Sequence, residues 1–467
     1  MTDYDLIVIG AGAVGENVAD YAHKRGLSVA IVESELVGGE CSYWACMPSK
    51  ALLRSGHALA AAKRLAGSAE AVTGSLDAAA VLARRTSFTS DWKDDGQVSW
   101  LESAGIDLVR GHARITGPKT IEVDGTTHTA RAAVAVVTGS LHALPDVPGL
   151  ADAKPWGTRE GTSAQSVPES LLVIGGGVAG TELATAWASL GAKVTLVARH
   201  GLLGGMEPFA GELVADAMRE SGIDVRTGVN PTRLDRDEHG LVTTTLDDGT
   251  TVITSEVLAA TGRTPHTADL GLESVGLTAG DWLDVDDTML VTGTDWLYAV
   301  GDVNHRVLLT HQGKYQARAA GEAIAARYQG TPLHTEPWGA HVATADHAAA
   351  PQVTFTDPEV ASVGLTEAKA KQQGLNVRAV EYELGNIAGA ALQADGYTGR
   401  ANMVVDEDRG VVVGMTFVGQ DVAEMLQAAT IAVVGEVPLD RLWHAVPAYP
   451  TMNEIWLRLL ETYGRPE

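Results

Sequence analysis

Cys41 and Cys46 are the only cysteines in 467 residues, and four residues, Ser-Tyr-Trp-Ala, separate them. Two thiols this close suit two-electron chemistry, the making and breaking of one S–S bond. The plainer reading is two unrelated small core residues. Their place, just after a strand, glycine-rich turn, helix and strand that end at Glu33, favours a redox pair. Positions i and i+5 of a regular helix lie about 7.5 Å apart along its axis, and a disulfide needs Cα atoms within about 7 Å. A Cys41–Cys46 bond therefore requires distorted backbone, with Cys41 near a helix N-terminus, where the thiol pKa falls. Such a bond is an exchangeable disulfide rather than a staple, since it closes only a tiny loop. Two cysteines also exclude a disulfide scaffold and any all-cysteine zinc or iron–sulfur centre within one chain.

The elements that must position this pair are two dinucleotide-binding units. Asp5-Leu-Ile-Val-Ile9 is a continuous apolar run, as for a parallel strand buried on both faces. Gly10-Ala-Gly12-Ala-Val-Gly15 follows, then an amphipathic stretch, then the strand Ser28–Val32 ending at Glu33. In such a loop Gly10 makes the tight turn, Gly12 admits a pyrophosphate and Gly15 allows close helix–strand packing. Glu33 stands where an acid binds a ribose 2′-hydroxyl, which suits FAD or NAD. The pattern recurs at Leu171–Ile174, with Gly175, Gly177 and Gly180, and the strand Lys193–Val197. There the acid is replaced by Arg199-His200. A cation suits the 2′-phosphate of NADP, so NADPH is favoured over NADH; the alternative is a solvated surface arginine.

Length suggests about three domains at ~150 residues each. Residues 56–90 read as Ala-rich helix. Residues 107–137 read as short strands, closing in Thr138-Gly139-Ser140. A similar close, Thr261-Gly262-Arg263, precedes Pro265. Trp296–Val300 is a strand ending in Gly301-Asp302, and a helix runs from Gln312 to Tyr328. Residues 333–350 look like a linker, and the last ~115 residues form a separate domain. The 59 acidic against 34 basic residues give a net charge of −25, unsuited to nucleic acid or an anionic membrane face. No run of 18 apolar residues and no signal peptide is seen, so a cytoplasmic protein is expected.

Taken together, these motifs resemble the pyridine nucleotide–disulfide oxidoreductases, FAD flavoproteins such as glutathione reductase, dihydrolipoamide dehydrogenase and mercuric reductase. The carriers are Gly10–Gly15 with Glu33, Gly38-Gly-Glu-Cys41 through Cys46-Met-Pro-Ser-Lys50, Gly175–Gly180 with Glu182, Thr261–Arg263, Gly301-Asp302 and Phe355–Gly364. They run through essentially the whole chain. The resemblance implies an α/β fold with two Rossmann-like domains and a C-terminal α+β dimerisation domain. The FAD domain would be discontinuous, 1–150 and 266–340; the NAD(P) domain would be 151–265 and the interface domain 345–467.

It also implies roles. FAD would lie on the first unit, with Glu33 at its ribose, Asp302 at its ribityl chain and Lys50, paired with Glu182, near flavin N5. Gly39, Ala113, Thr138, Gly139 and Gly262 would be further cofactor contacts. Cys46 would be the charge-transfer thiolate and Cys41 the interchange thiol, and a homodimer would complete each site. No metal site is implied; the scattered histidines show no ligand spacing.

The sequence departs from this family at one place. Its disulfide reductases end in His-Pro-Thr-x-x-Glu, whereas this chain reads Tyr449-Pro-Thr-Met-Asn-Glu454. A phenol titrates near ~10 and an imidazole near ~6.5, so Tyr449 is a poor proton shuttle. His444, five residues upstream, is the alternative shuttle, but reads better as an ordinary structural histidine. The expected reaction is hydride transfer from NADPH, through flavin and the cysteine pair, to a small disulfide or soft metal ion. The alternatives are a quinone or dye reductase, a dihydrolipoamide dehydrogenase-like enzyme, and a non-catalytic redox sensor.

Overall fold

The computed structural model describes residues 2–465. The chain divides into two compact units. The first comprises the residues up to Pro48, Thr86–Ala143 and Gly262–Asp346; the second comprises Ser49–Arg85, Leu144–Thr261 and the residues from His347 onward.

The first unit is built on a seven-stranded sheet. Strand Thr2–Ile9 lies at its centre, parallel to Val29–Glu33 on one side and Thr126–Val136 on the other. Asp107–Arg110 extends the parallel set at one edge, and Leu297–Ala299 pairs with Thr126–Val136. Leu6, Ile7 and Val8 are wholly buried, as their unbroken apolar run requires of a strand covered on both faces. Helix Ala13–Lys24 packs against the long helix Thr310–Gln329. Glycines make this approach possible: a Cβ on Gly313 would meet Val14 at 2.6 Å, and one on Gly321 would meet Tyr21 at 2.8 Å.

Two short segments that close the strand regions in sequence pair with each other. Ser140–His142 runs antiparallel to Arg263–Pro265. Gly139 and Gly262, at φ 73° and 139°, let the chain turn beside them.

The second unit holds three sheets. One is a four-stranded parallel sheet in the order Asp224–Thr227, Lys193–Ala198, Ser170–Ile174, Glu256–Ala259. The second is a three-stranded antiparallel ribbon over residues 231–254. The third is a five-stranded antiparallel sheet over residues 351–419. Trp187, wholly buried on helix Val178–Ser189, anchors the core of the parallel layer and donates its indole N–H to the Gly161 carbonyl at 3.0 Å.

Two readings from sequence need correction. Residues 56–90 are not one helical block: helix Cys46–Lys63 ends, and a second begins only at Ala78. Residues 333–350 are not a bare linker. His341, Val342 and Ala343 are buried, and the Asp346 carboxylate is 1% exposed and paired with Arg306. Polar composition was mistaken for solvent exposure, because buried polar groups that find partners look the same in sequence.

Candidate active site

In the first unit, Gly12 has open space where its Cβ would stand, with only Gly39 Cα at 4.0 Å. It follows strand Thr2–Ile9 and caps helix Ala13–Lys24. Backbone N–H groups of the first helical turn therefore face an accessible cradle, the arrangement that binds pyrophosphate. Gly10, at φ 104°, has no room for a Cβ beside the Val137 carbonyl, and Gly15 none beside Gly10. Glu33, at the end of the neighbouring strand, accepts from Ala11 N–H and Glu35 N–H, both at 2.8 Å. Burial raises its pKa and these bonds oppose the shift. Ala113 is a core residue, 3% exposed.

Asp302 follows Gly301, which holds φ 81° and ψ −151°. Its carboxylate accepts from Ser140 Oγ and lies 3.3 Å from Arg263 Nε. Thr138 Oγ1 donates to the His266 carbonyl at 2.7 Å, and His266 N–H to the Gly139 carbonyl at 3.1 Å. Ser140 and Arg263 were visible as motif members; their joint hold on Asp302 was not, because 123 positions separate them.

The cysteine segment breaks as its geometry demands. Helix Gly39–Tyr43 ends at Trp44, with φ −138°, and a new helix of 18 residues starts at Cys46. The two sulfurs stand as thiols in hydrogen-bond contact. Thr310, at the start of its own helix, has its hydroxyl 3.3 Å from Cys46 Sγ. The Cys41 thiol pKa is raised, chiefly by the Cys46 sulfur beside it and then by burial; Thr310 and Lys314 pull the other way. The expected lowering at Cys41 is thus overturned. The longer helix begins at Cys46, so its dipole favours negative charge there. Thr310 had no signal in sequence beyond standing next to the anticipated helix start.

In the second unit, Lys50 Nζ and Glu182 Oε2 form an ion pair at 2.7 Å. Glu182 is buried, and its other oxygen accepts from Phe355 N–H at 2.9 Å. The Lys50 ammonium also lies 5.0 Å from the centroid of the Phe355 ring. Phe355 was seen only as part of a motif; the fold makes it the third member of this group. Gly177 is open at its would-be Cβ, like Gly12, whereas Gly175 and Gly180 pack against backbone. Arg199 and His200 are exposed just past strand Lys193–Ala198.

Tyr449 is 76% exposed, and His444 is exposed too. Glu454 is buried and accepts from Arg458 at 2.6 Å and Ala388 N–H at 3.3 Å. Among the described residues no hydrogen bond joins Glu454 to Tyr449.

A family model described as "Pyridine nucleotide-disulphide oxidoreductase" matches residues 4–330, and one for the dimerisation domain of that family matches residues 350–459. The chain belongs to the pyridine nucleotide–disulfide oxidoreductases. A mercuric reductase of Staphylococcus aureus is 31% identical over 97% of this chain and 81% of its own. A dihydrolipoyl dehydrogenase of Haloferax volcanii is 31% identical, over 98% of this chain and 96% of its own. In fold, the chain matches the HOCl-induced flavoprotein disulfide reductase RclA of Escherichia coli with a TM-score of 0.83 over 99% of this chain and 100% of that one, at 22% identity. A Cu(II) complex of RclA matches equally well, at a TM-score of 0.83.

As a family member the chain is a flavin-dependent oxidoreductase that uses FAD, a pyridine nucleotide and a disulfide centre, and it carries a dimerisation domain. The open cradle at Gly12, with Glu33 at the end of the next strand, fits the adenine dinucleotide of FAD. No helix among the described residues is long and apolar enough to cross a membrane.

One further acid stands in this site. Glu16, in the first turn of helix Ala13–Lys24, is half-buried, and its Oε1 is buried with no hydrogen-bond partner among the described residues. Burial raises its pKa to about 7; Lys314 opposes this and Glu33 adds to it. An acid whose folded pKa lies above its unfolded value destabilises the fold as pH rises through that interval. Glu16→Gln should therefore raise the melting temperature little at pH 5 and progressively more through pH 7. The gain above pH 7 corresponds to at most about 3 kcal/mol. A melting-temperature difference that stays constant from pH 5 to 8.5 would contradict this assignment.

Proposed function

We propose that the enzyme uses NADPH to reduce a soft metal ion at the Cys41–Cys46 pair. Residues 1–150 and 266–340 serve as its FAD domain, 151–265 as its NAD(P) domain and 345–467 as the interface of a cytoplasmic homodimer. The observation that carries the choice of acceptor is the residue at 449. A disulfide acceptor needs a proton delivered to its departing thiolate; a metal ion needs none. Tyr449 can hold a soft cation by its oxygen but shuttles protons poorly near neutral pH. Glu454, bound to Arg458 and to Ala388 N–H, does not orient it. The names of the mercuric reductase relatives and of the copper-bound structural neighbour point to the same class of acceptor.

FAD, when bound, relays the two electrons of the NADPH hydride to the cysteines. The chain's own residues do the rest. Gly10, Gly12, Gly15, Gly39 and Glu33 bind the dinucleotide, with the Ala113 backbone, Thr138, Gly139, Gly262, Gly301 and Asp302 along its length. Gly175, Gly177 and Gly180 receive NADPH. Lys50, fixed by Glu182 and Phe355, supplies a localised positive charge. Cys46 holds the thiolate, aided by its helix terminus and the Thr310 hydroxyl. Cys41 retains the proton until the acceptor arrives. The pair then gives up two electrons, closes as an S–S bond and releases that proton; reduction by NADPH reopens it.

Arg199 and His200, exposed just past strand Lys193–Ala198, serve in this reading to bind the 2′-phosphate, so Arg199→Glu should lower the preference for NADPH over NADH by about 10- to 100-fold, the worth of one charged hydrogen bond. Steady-state kcat/KM for the two nucleotides checks this, and an unchanged ratio would refute the assignment. Acceptor choice is tested by NADPH oxidation against Hg(II), Cu(II), small-molecule disulfides and a quinone. Metal turnover should exceed that of disulfides, and Tyr449→His should raise disulfide turnover by at least ~10-fold, toward the usual range for general acid catalysis. Fast reduction of one disulfide by the unaltered protein would overturn the metal reading. A quinone reduced equally well after Cys41→Ser would show that electrons leave without using the pair.

A further inference from the structure

Asp346 is a carboxylate with nearly no solvent contact, in a stretch that reads as linker, and no step of the reaction uses it. We propose that Asp346, acting through Gln316, is a positioning residue that sets the Gly301–Asp302 turn to receive the flavin's ribityl chain.

The connections are continuous and all lie within the first unit. Asp346 Oδ2 accepts from Gln316 Nε2 at 2.8 Å and from Arg306 Nε at 2.9 Å. Gln316 is wholly buried. With its amide nitrogen committed to Asp346, its oxygen must face the other way. There it accepts from Gly301 N–H and from Asn304 Nδ2, each at 2.8 Å. Asp346, which only accepts, and Gly301 N–H, which only donates, thus demand the same amide orientation, and Asp346 anchors the nitrogen end that holds the oxygen on Gly301. Gly301 needs such a hold: its φ of 81° with ψ −151° is a conformation that only glycine adopts readily. Asn304 closes the turn by donating to the Ala299 carbonyl at 3.1 Å. Ser140 and Arg263 grip the Asp302 carboxylate from one side, and the glutamine holds the turn's backbone from the other. Burial raises the Asp346 pKa, and Arg306 and the glutamines oppose this. The carboxylate is therefore retained at a cost that the relay explains.

The inference rests on the reading of Asp302 as a flavin ligand, and the test separates the two. Holoenzyme is diluted and released FAD is read by its fluorescence, giving a dissociation constant; NADPH binding and the melting temperature are measured alongside. Asp346→Asn and Gln316→Met should each weaken FAD binding about tenfold, as expected for one buried hydrogen bond. The double variant should be no worse than the weaker single by more than about twofold, because both break one chain. Gln312→Met is the control: Gln312 also donates to Asp346, at 2.9 Å, but among the described residues no hydrogen bond joins its side chain to Gly301. It should leave FAD affinity within about twofold.

Unchanged affinity in Asp346→Asn and Gln316→Met, with Asp302→Ala weakened, would overturn the relay and keep the Asp302 reading. An Asp302→Ala variant that binds FAD normally would overturn that reading itself. Equal losses in all variants, Gln312→Met and NADPH binding included, would reduce Asp346 to a general stabiliser. If Gln316→Met does not fold, the near-isosteric Asp346→Asn decides.

Discussion

Two sulfurs five positions apart cannot meet on one regular helix, and the first unit is organised around the break that lets them meet. The break at Trp44 separates a one-turn helix carrying Cys41 from an 18-residue helix that opens at Cys46. It gives the two thiols different surroundings. Cys46 opens the longer helix, with the Thr310 hydroxyl 3.3 Å from its sulfur, while Cys41 sits within the short one, its thiol pKa raised by the Cys46 sulfur and by burial. The same segment is tied to the nucleotide loop. Gly38 N–H donates to the Ala11 carbonyl at 2.7 Å, and Ala11 N–H donates to Glu33. Gly38 and Gly39, both at positive φ, carry the chain through this close approach. The cysteine segment is thus tied to the same loop that forms the open cradle at Gly12.

Charge is handled by burial with fixed partners. Lys50 and Glu182 form a pair in which every Glu182 oxygen has a named donor. Only the glutamate of this pair is buried, the lysine being half-exposed, and such a pair is weak evidence for stability, since desolvation and solvent screening offset most of the attraction. Its value lies in holding one cation still. Asp346 follows the same logic with three donors. Glu16 does not, and its incomplete hydrogen bonding is why its titration should be visible in stability.

Much of this was legible in sequence. Spacing alone gave both phosphate loops, Glu33, the cysteine pair and the necessity of a backbone break, because these depend on local geometry. Family membership followed from motifs spread along the chain. Less local features were not legible. Thr310 reaches Cys46 across 264 positions, Phe355 reaches Glu182 across 173, and Asp346 reaches Arg306 across 40. Nothing in the residue types announces such meetings. The direction of the Cys41 shift was misjudged because a helix terminus was weighed without its neighbouring sulfur. The Asp346 segment was misread because polar composition does not reveal burial.

Electrons that pass from the pyridine nucleotide to the Cys41–Cys46 pair can be counted directly as thiols. With no other cysteine present, every titratable thiol belongs to the pair. The oxidised protein, denatured and titrated before and after anaerobic treatment with NADPH, should pass from no thiols to two per chain. A thiol count that NADPH leaves unchanged would contradict the account.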